Sequence, residues 1–155
     1  NTAEGALKSL GIVGTPIDDT FKFNTKITAA VNVTKRHILS EIAKLFDPLG
    51  WLAPVVIKAK LLIQNLWIQQ LDWDEAVNQK ISKTWKEFQK KLLIVEKIRI
   101  PRWIHYETET IQLHGFCDAS EKANGAMVYS RTFCSGKSTT RLLIAKSKVA
   151  PIKSR

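Results

Sequence analysis

The chain has 155 residues, of which 45% are apolar and 25% charged, and it carries a formal net charge of +10. This length buries the core of about one ordinary domain, and no apolar run approaches the roughly 20 residues of a membrane-spanning helix, so no membrane partner is expected. The positive surplus favours polyanionic partners, nucleic acid first, while two cysteines are too few for a disulfide framework and read as free thiols.

The opening residues Asn1-Thr2-Ala3-Glu4-Gly5 carry neither the basic nor the apolar part of a secretory leader. An intracellular, non-secreted chain cut or processed from something longer is expected. Residues 6–23 read as strand-rich. Leu10-Gly11-Ile12-Val13-Gly14 is apolar and broken by glycine, Thr15-Pro16 punctuates it, Asp18-Asp19 signals a turn, and Phe21-Lys22-Phe23 alternates, which together predict a short hairpin. Thr34 then reads as a helix N-cap, with Ile38, Leu39, Ile42, Leu45 and Phe46 at helical spacing and Asp47-Pro48-Leu49-Gly50 as the stop. A second helix is predicted from Pro54, carrying Val55, Val56, Ala59, Leu62, Ile63, Leu66 and Trp67. A third runs from about Glu75, with Val77, Ile81, Trp85, Phe88 and Leu92 on one face and Lys80, Lys83, Lys86, Lys90 and Lys91 between them. Ile98, Ile100 and Pro101 return the chain to extended structure. Strands are predicted over 109–117, 125–133 and 140–149, the last two joined by Ser135-Gly136-Lys137-Ser138. A three-stranded meander with one bare face is an incomplete domain, and residues 108–155 in isolation are expected to aggregate or stay disordered.

Few residues in this pattern carry chemistry. Asp118 ends a strand-like run, Leu113-His114-Gly115-Phe116-Cys117-Asp118-Ala119-Ser120, where a nuclease would place a metal-binding carboxylate. The competing reading, a turn residue bonded to its own backbone, is the stronger one on local sequence alone. Asp18-Asp19 could hold a metal but reads as a solvated turn. Gly136-Lys137-Ser138-Thr139 fails as a phosphate loop, because Arg131 stands where that motif needs a glycine. His114, Cys117 and Cys134 lack a fourth zinc ligand, and alternation puts His114 and Cys117 on opposite faces of a strand. The lysines of the third helix fit a phosphate-contacting face as well as a plain solvated one. Trp51, Trp67, Trp73, Trp85 and Trp103 read as core and rim rather than base-stacking platforms. His37, His105 and His114 have no partner with which to form a catalytic triad.

Taken in order, several long strings resemble the Pol polyproteins of BEL/Pao-type retrotransposons. They are the run from Thr34-Lys35-Arg36-His37-Ile38 to Asp47-Pro48-Leu49-Gly50, then Pro54-Val55-Val56-Ile57-Lys58-Ala59-Lys60, Leu71-Asp72-Trp73-Asp74, Ile100-Pro101-Arg102, the Leu113–Ser120 run, and Leu142-Leu143-Ile144-Ala145-Lys146-Ser147-Lys148-Val149-Ala150-Pro151. The resemblance implies an α+β chain: a short β hairpin, a three-helix thumb/connection region, then a truncated RNase H-like antiparallel β-meander. It implies that 1–33 are the end of a reverse transcriptase palm, 34–104 thumb and connection, and 105–155 the N-terminal part of an RNase H-like domain. Leu10-Gly11 matches the family's turn near the primer terminus, although the family has a Trp where this chain has Gly14. Asp118 matches the first metal-binding aspartate of the RNase H site, which uses Mg2+ in the complete parent enzyme. The implied partners are RNA/DNA hybrid or duplex nucleic acid and the remainder of the Pol polyprotein. The polymerase aspartates and the later RNase H acids do not occur in these residues, and two-metal hydrolysis needs several carboxylates. The chain alone is therefore expected to bind nucleic acid weakly and to catalyse nothing; the alternatives are a host-retained nucleic-acid-binding or interaction module without catalysis and a non-functional relic. The region is also labelled a Pao peptidase, but no Asp-Thr/Ser-Gly loop is present, since Asp118-Ala119-Ser120 lacks the glycine.

Overall fold

A computed structural model describes residues 7–9, 12–15, 17–25, 28, 30, 32–103 and 110–152. The fold is α+β, with three helices between short strands and a long antiparallel meander. Two compact units are each assembled from two stretches: Asn1–Phe46 with Leu61–Arg102, and Asp47–Lys60 with Trp103–Arg155.

In the first unit, β1 (Leu7–Ser9), β2 (Ile12–Thr15) and β3 (Thr20–Phe23) form an antiparallel meander, and β4 (Arg99–Pro101) adds to β3. The predicted hairpin is thus one part of a four-stranded sheet, completed by a strand contributed from far along the chain. Leu10-Gly11 and Pro16 lie outside the described residues. Asp19, at φ 46°, makes the β2–β3 turn, and the backbone N–H of Arg102 donates to its carbonyl at 2.8 Å.

Helix α1 (Lys35–Ala43) starts as predicted, with Thr34 accepting from the His37 N–H at 3.2 Å. It stops before Phe46, because Lys44 and Leu45 donate to carbonyls three residues back and tighten the last turn. Helix α2 (Ala53–Ile68) divides at Lys60, its later residues belonging to this unit. The third helix, α3 (Gln79–Leu92), begins four residues later than Glu75. The backbone explains the delay. Thr34 and Ala76 form a β-bridge, and Val77 N–H donates to Val33 O at 3.0 Å, so 76–77 are committed to strand-like pairing. Asn78 then caps the helix, its side chain accepting from Ile81 N–H at 2.9 Å. A 3-10 turn (Leu93–Lys97) leads into β4.

These helices bury Val33, Ile38, Leu62, Leu66, Ile81 and Trp85 together. Trp85 is fully buried, stacked on Phe88 with centroids 5.6 Å apart and met edge-on by His37 at 6.3 Å. The Lys35 side chain is buried as well. Its ammonium donates to Leu71 O at 3.1 Å and sits 3.6 Å over the Trp67 ring, which offsets the loss of water. Arg36 forms two bonds to the Asp74 carboxylate, at 2.7 and 2.9 Å.

The second unit is built on β5 (Thr110–Ala119), β6 (Ala123–Cys134) and β7 (Lys137–Val149), in that order in the sheet. Ser135 and Gly136, both at positive φ (48° and 74°), make the two-residue β6–β7 turn, which closes on the pair Cys134 and Lys137. β7 carries one extra residue at Leu143, where the register shifts between Val128 and Tyr129. The Leu143 carbonyl accepts from the Trp51 indole N–H at 3.2 Å. Beside it, Ala145 N–H donates to Leu49 O at 2.8 Å, Ser147 Oγ donates to Ala53 O at 3.3 Å, and the Lys60 ammonium donates to Ser147 O at 2.9 Å. Asp47 holds the approach, its Oδ2 accepting from Leu52 N–H at 2.7 Å. The meander is therefore less bare than its sequence suggests: residues 47–60 fold onto β7. What stays open is β5, with Leu113 67% and Phe116 57% exposed.

Candidate functional site

Asp118 lies in β5, opposite Gly125 and one residue from the strand end. Its Oδ1 accepts from the N–H of Ala119 at 2.8 Å. Closing the β5–β6 turn falls to Ser120 instead. The Ser120 N–H donates to Ala123 O at 2.8 Å, and Ser120 Oγ accepts from the N–H groups of Lys122 and Ala123 at 3.3 and 3.2 Å. Asp118 is also exposed rather than buried, so its carboxylate keeps its water at little cost and needs no compensating charge.

Strand alternation and register put Phe116 and Asp118 of β5, Gly125, Met127 and Tyr129 of β6, and Leu142, Ala145 and Ser147 of β7 on one face. Residues Gly50, Trp51, Pro54 and Ile57 rise beside that face and turn it into a groove of about 410 Å³, with Asp118 at its rim. The sequence named the far end of this groove and missed its wall. Asp47-Pro48-Leu49-Gly50 reads locally as a helix stop, and nothing in its neighbourhood signals the strand that packs on it.

A metal pair does not fit these residues. Among the described residues no group of three or more His, Cys, Asp or Glu side chains comes together, and Asp118 offers one carboxylate. Cys117 and Cys134 are both free and exposed, and His114 shares the face of Asp118 while Cys117 takes the other. Asp18 and Asp19 belong to the first unit and behave as turn carboxylates, Asp18 paired with Lys22 at 3.6 Å and Asp19 with Arg102 at 2.5 Å. His105 lies outside the described residues.

The lysines separate by geometry. Lys80, Lys83, Lys86 and Lys90 line one open groove on α3 together with Gln79, Ser82 and Glu87. At about 100° per residue, Lys83, Lys86 and Lys90 fall opposite the buried Ile81 and Trp85, whereas Lys91 turns aside. None of these lysines makes an ion pair among the described residues. The tryptophans divide as expected into core (Trp85) and rim: Trp67, Trp73 and Trp103 are about half exposed, and Trp51 reaches the β7 bulge.

No curated protein is a significant match to the chain. The family model described as Pao retrotransposon-like RNaseH-like domain matches residues 34–155, which takes in all three helices, the whole β5–β7 meander and Asp118. By that match, this chain belongs to the Pao retrotransposon-like RNaseH-like domain family.

Proposed function

We propose that the chain works as part of a retrotransposon polyprotein that handles RNA/DNA hybrid or duplex nucleic acid, contributing a nucleic-acid-binding surface and one metal-ligand aspartate. In this reading residues 1–33 are the end of a reverse transcriptase palm, 34–104 a thumb and connection, and 105–155 the start of the RNase H-like domain. Asp118 is the first ligand for Mg2+, the remaining ligands come from other parts of the Pol polyprotein, and the protein works inside the cell. The observation that carries the reading is the placement of Asp118: an exposed carboxylate near the end of the first strand of an antiparallel meander, within the family match. Lys80, Lys83, Lys86, Lys90 and Lys91 are the proposed phosphate contacts, supported by the groove that four of them line. Electrostatic contacts of this kind release counterions and weaken steeply with salt.

The test has two arms on the purified chain. Duplex binding is expected at low salt and lost as salt rises, with Asp118→Asn indistinguishable from the parent. Magnesium-dependent cleavage of RNA in a hybrid is expected to stay at background. Turnover abolished by Asp118→Asn would refute the inactive-alone reading, and no binding at low salt would refute the nucleic-acid role. A second reading, a retained binding module without catalysis, is favoured by the observation that no group of three or more His, Cys, Asp or Glu side chains comes together among the described residues. It differs in expecting no gain of cleavage when the remaining Pol segments are supplied.

A further inference from the structure

On the face that carries Asp118, the opposite end of the sheet has a different character. His114, Phe116, Tyr129, Arg131, Ser138 and Thr140 line a second groove of about 430 Å³. The register explains the grouping: Arg131 pairs with Gln112 and Thr140, His114 with Tyr129, and Phe133 with Ser138. One guanidinium, three hydroxyls and an imidazole belong to its lining, and no acid lines the groove. The Arg131 guanidinium lies 4.8 Å from the Phe133 ring centre and makes no ion pair among the described residues. His114 Nε2 is shut off from solvent and has no hydrogen-bond partner among the described residues, an unmet demand that costs free energy in a folded chain. Phe116 and Tyr129, in edge contact at 6.0 Å, line both this groove and the one that Asp118 rims.

We propose that this end of the sheet holds a phosphodiester of a single-stranded nucleic acid. Arg131 grips the phosphate in its fork, with the Ser138 and Thr140 hydroxyls as further donors. The strand then runs past Phe116 and Tyr129 toward Asp118, which lies four residues from His114, or about 13 Å along β5. The occupant follows from charge and shape. A groove with a cation and no acid selects an anion, and the exposed Phe116 ring on its path selects an anion that also carries unstacked rings. A duplex hides those ring faces in its own stack, and a phosphorylated peptide brings no run of them. The inference rests on the nucleic-acid reading above and adds to it a site in the other compact unit from the α3 lysines.

The experiment uses the whole chain and a labelled single-stranded oligonucleotide of mixed sequence, followed by anisotropy over a range of salt. Arg131→Gln is expected to weaken binding about fivefold and to reduce the salt slope by about 0.7, the loss of one phosphate contact on a single strand. Phe116→Ser is expected to weaken binding about tenfold with the slope unchanged, as for loss of one stacked base. Thr140→Val serves as a milder second variant, about threefold weaker. Parent-like affinity and slope in both Arg131→Gln and Thr140→Val overturn the proposal, as does an equal loss on a fully paired duplex or a phosphopeptide. If the parent binds but only glutamines at Lys83, Lys86 and Lys90 reduce binding, this site falls while the nucleic-acid role stands. If the parent binds no nucleic acid at low salt, both fall.

Discussion

Gly50 and Gly125 make a matched pair at the residue scale. Gly50 sits at φ 71°, and a Cβ there would lie 1.7 Å from the carbonyl oxygen of Ala145. Backbone cannot give way as a flexible side chain can, so Gly50→Ala is expected to cost about 3 kcal/mol or more in denaturant unfolding. At Gly125 the nearest atom to an added Cβ is 3.8 Å away, and Gly125→Ala should stay within about 0.5 kcal/mol. Two acids respond to pH in opposite directions. Burial pushes the Glu41 carboxyl up, but the Lys44 ammonium, the Thr28 N–H and the charges of Lys44 and His37 outweigh it and hold the group below its usual value. Its stabilisation is present above the ordinary carboxylate range and is lost as pH falls toward the lowered value, so Glu41→Gln should flatten the acid limb of stability against pH. Asp47 is displaced upward by burial, against the pull of nearby N–H groups and Lys60. Stability through Asp47 is greatest where it is protonated and declines as pH rises from the ordinary carboxylate range through its raised value. Asp47→Asn should remove that decline, as read from urea midpoints across pH. The Thr34 cap was legible in sequence because a cap and its target are three residues apart. The turn at Gly50 was legible as well, within Asp47-Pro48-Leu49-Gly50, but the close approach of the Ala145 backbone to it was not.

Among the elements, α3 presents two separable faces. Its inner face holds Trp85, and Trp85→Ala is expected to cost about 3–5 kcal/mol by opening the first unit's core. Its outer face holds Lys83, Lys86 and Lys90. Changing these three to glutamine should leave the helical circular dichroism intact and lower the salt slope of duplex binding by up to about 2.7, from ~0.9 per phosphate contact. Lys91→Gln should change it less, because Lys91 does not line the groove. The helical period was legible in Ile81, Trp85, Phe88 and Leu92, which alternate cleanly with lysine. The start was not, because a β-bridge between Thr34 and Ala76 overrides the local helical pattern, and long-range pairing leaves no mark on nearby sequence. The meander was legible for the opposite reason. Hairpins join neighbours, and their turns at Ser120 and Ser135-Gly136 are local.

For the whole molecule, the α+β class and the position of Asp118 could be read along the chain, while the grouping of residues into compact units could not. Each unit joins two stretches, and a reading that moves residue by residue assigns Asp47–Lys60 to its neighbours in sequence. The energetics assign it to β7, through the Trp51 and Lys60 bonds and the close approach of Gly50. Residues 103–155 expressed alone should accordingly aggregate or remain unfolded by size-exclusion chromatography and circular dichroism, having lost the partner of β7 as well as keeping β5 open. The separation of these two stretches in sequence has a consequence in time. Trp51 and its acceptor Leu143 are 92 residues apart. At ribosomal rates of about 5–20 residues per second, residues 47–60 are made roughly 5–18 s before the strand they belong to. For that interval the nascent Gly50 turn and its tryptophan lack the strand on which they settle in the folded chain.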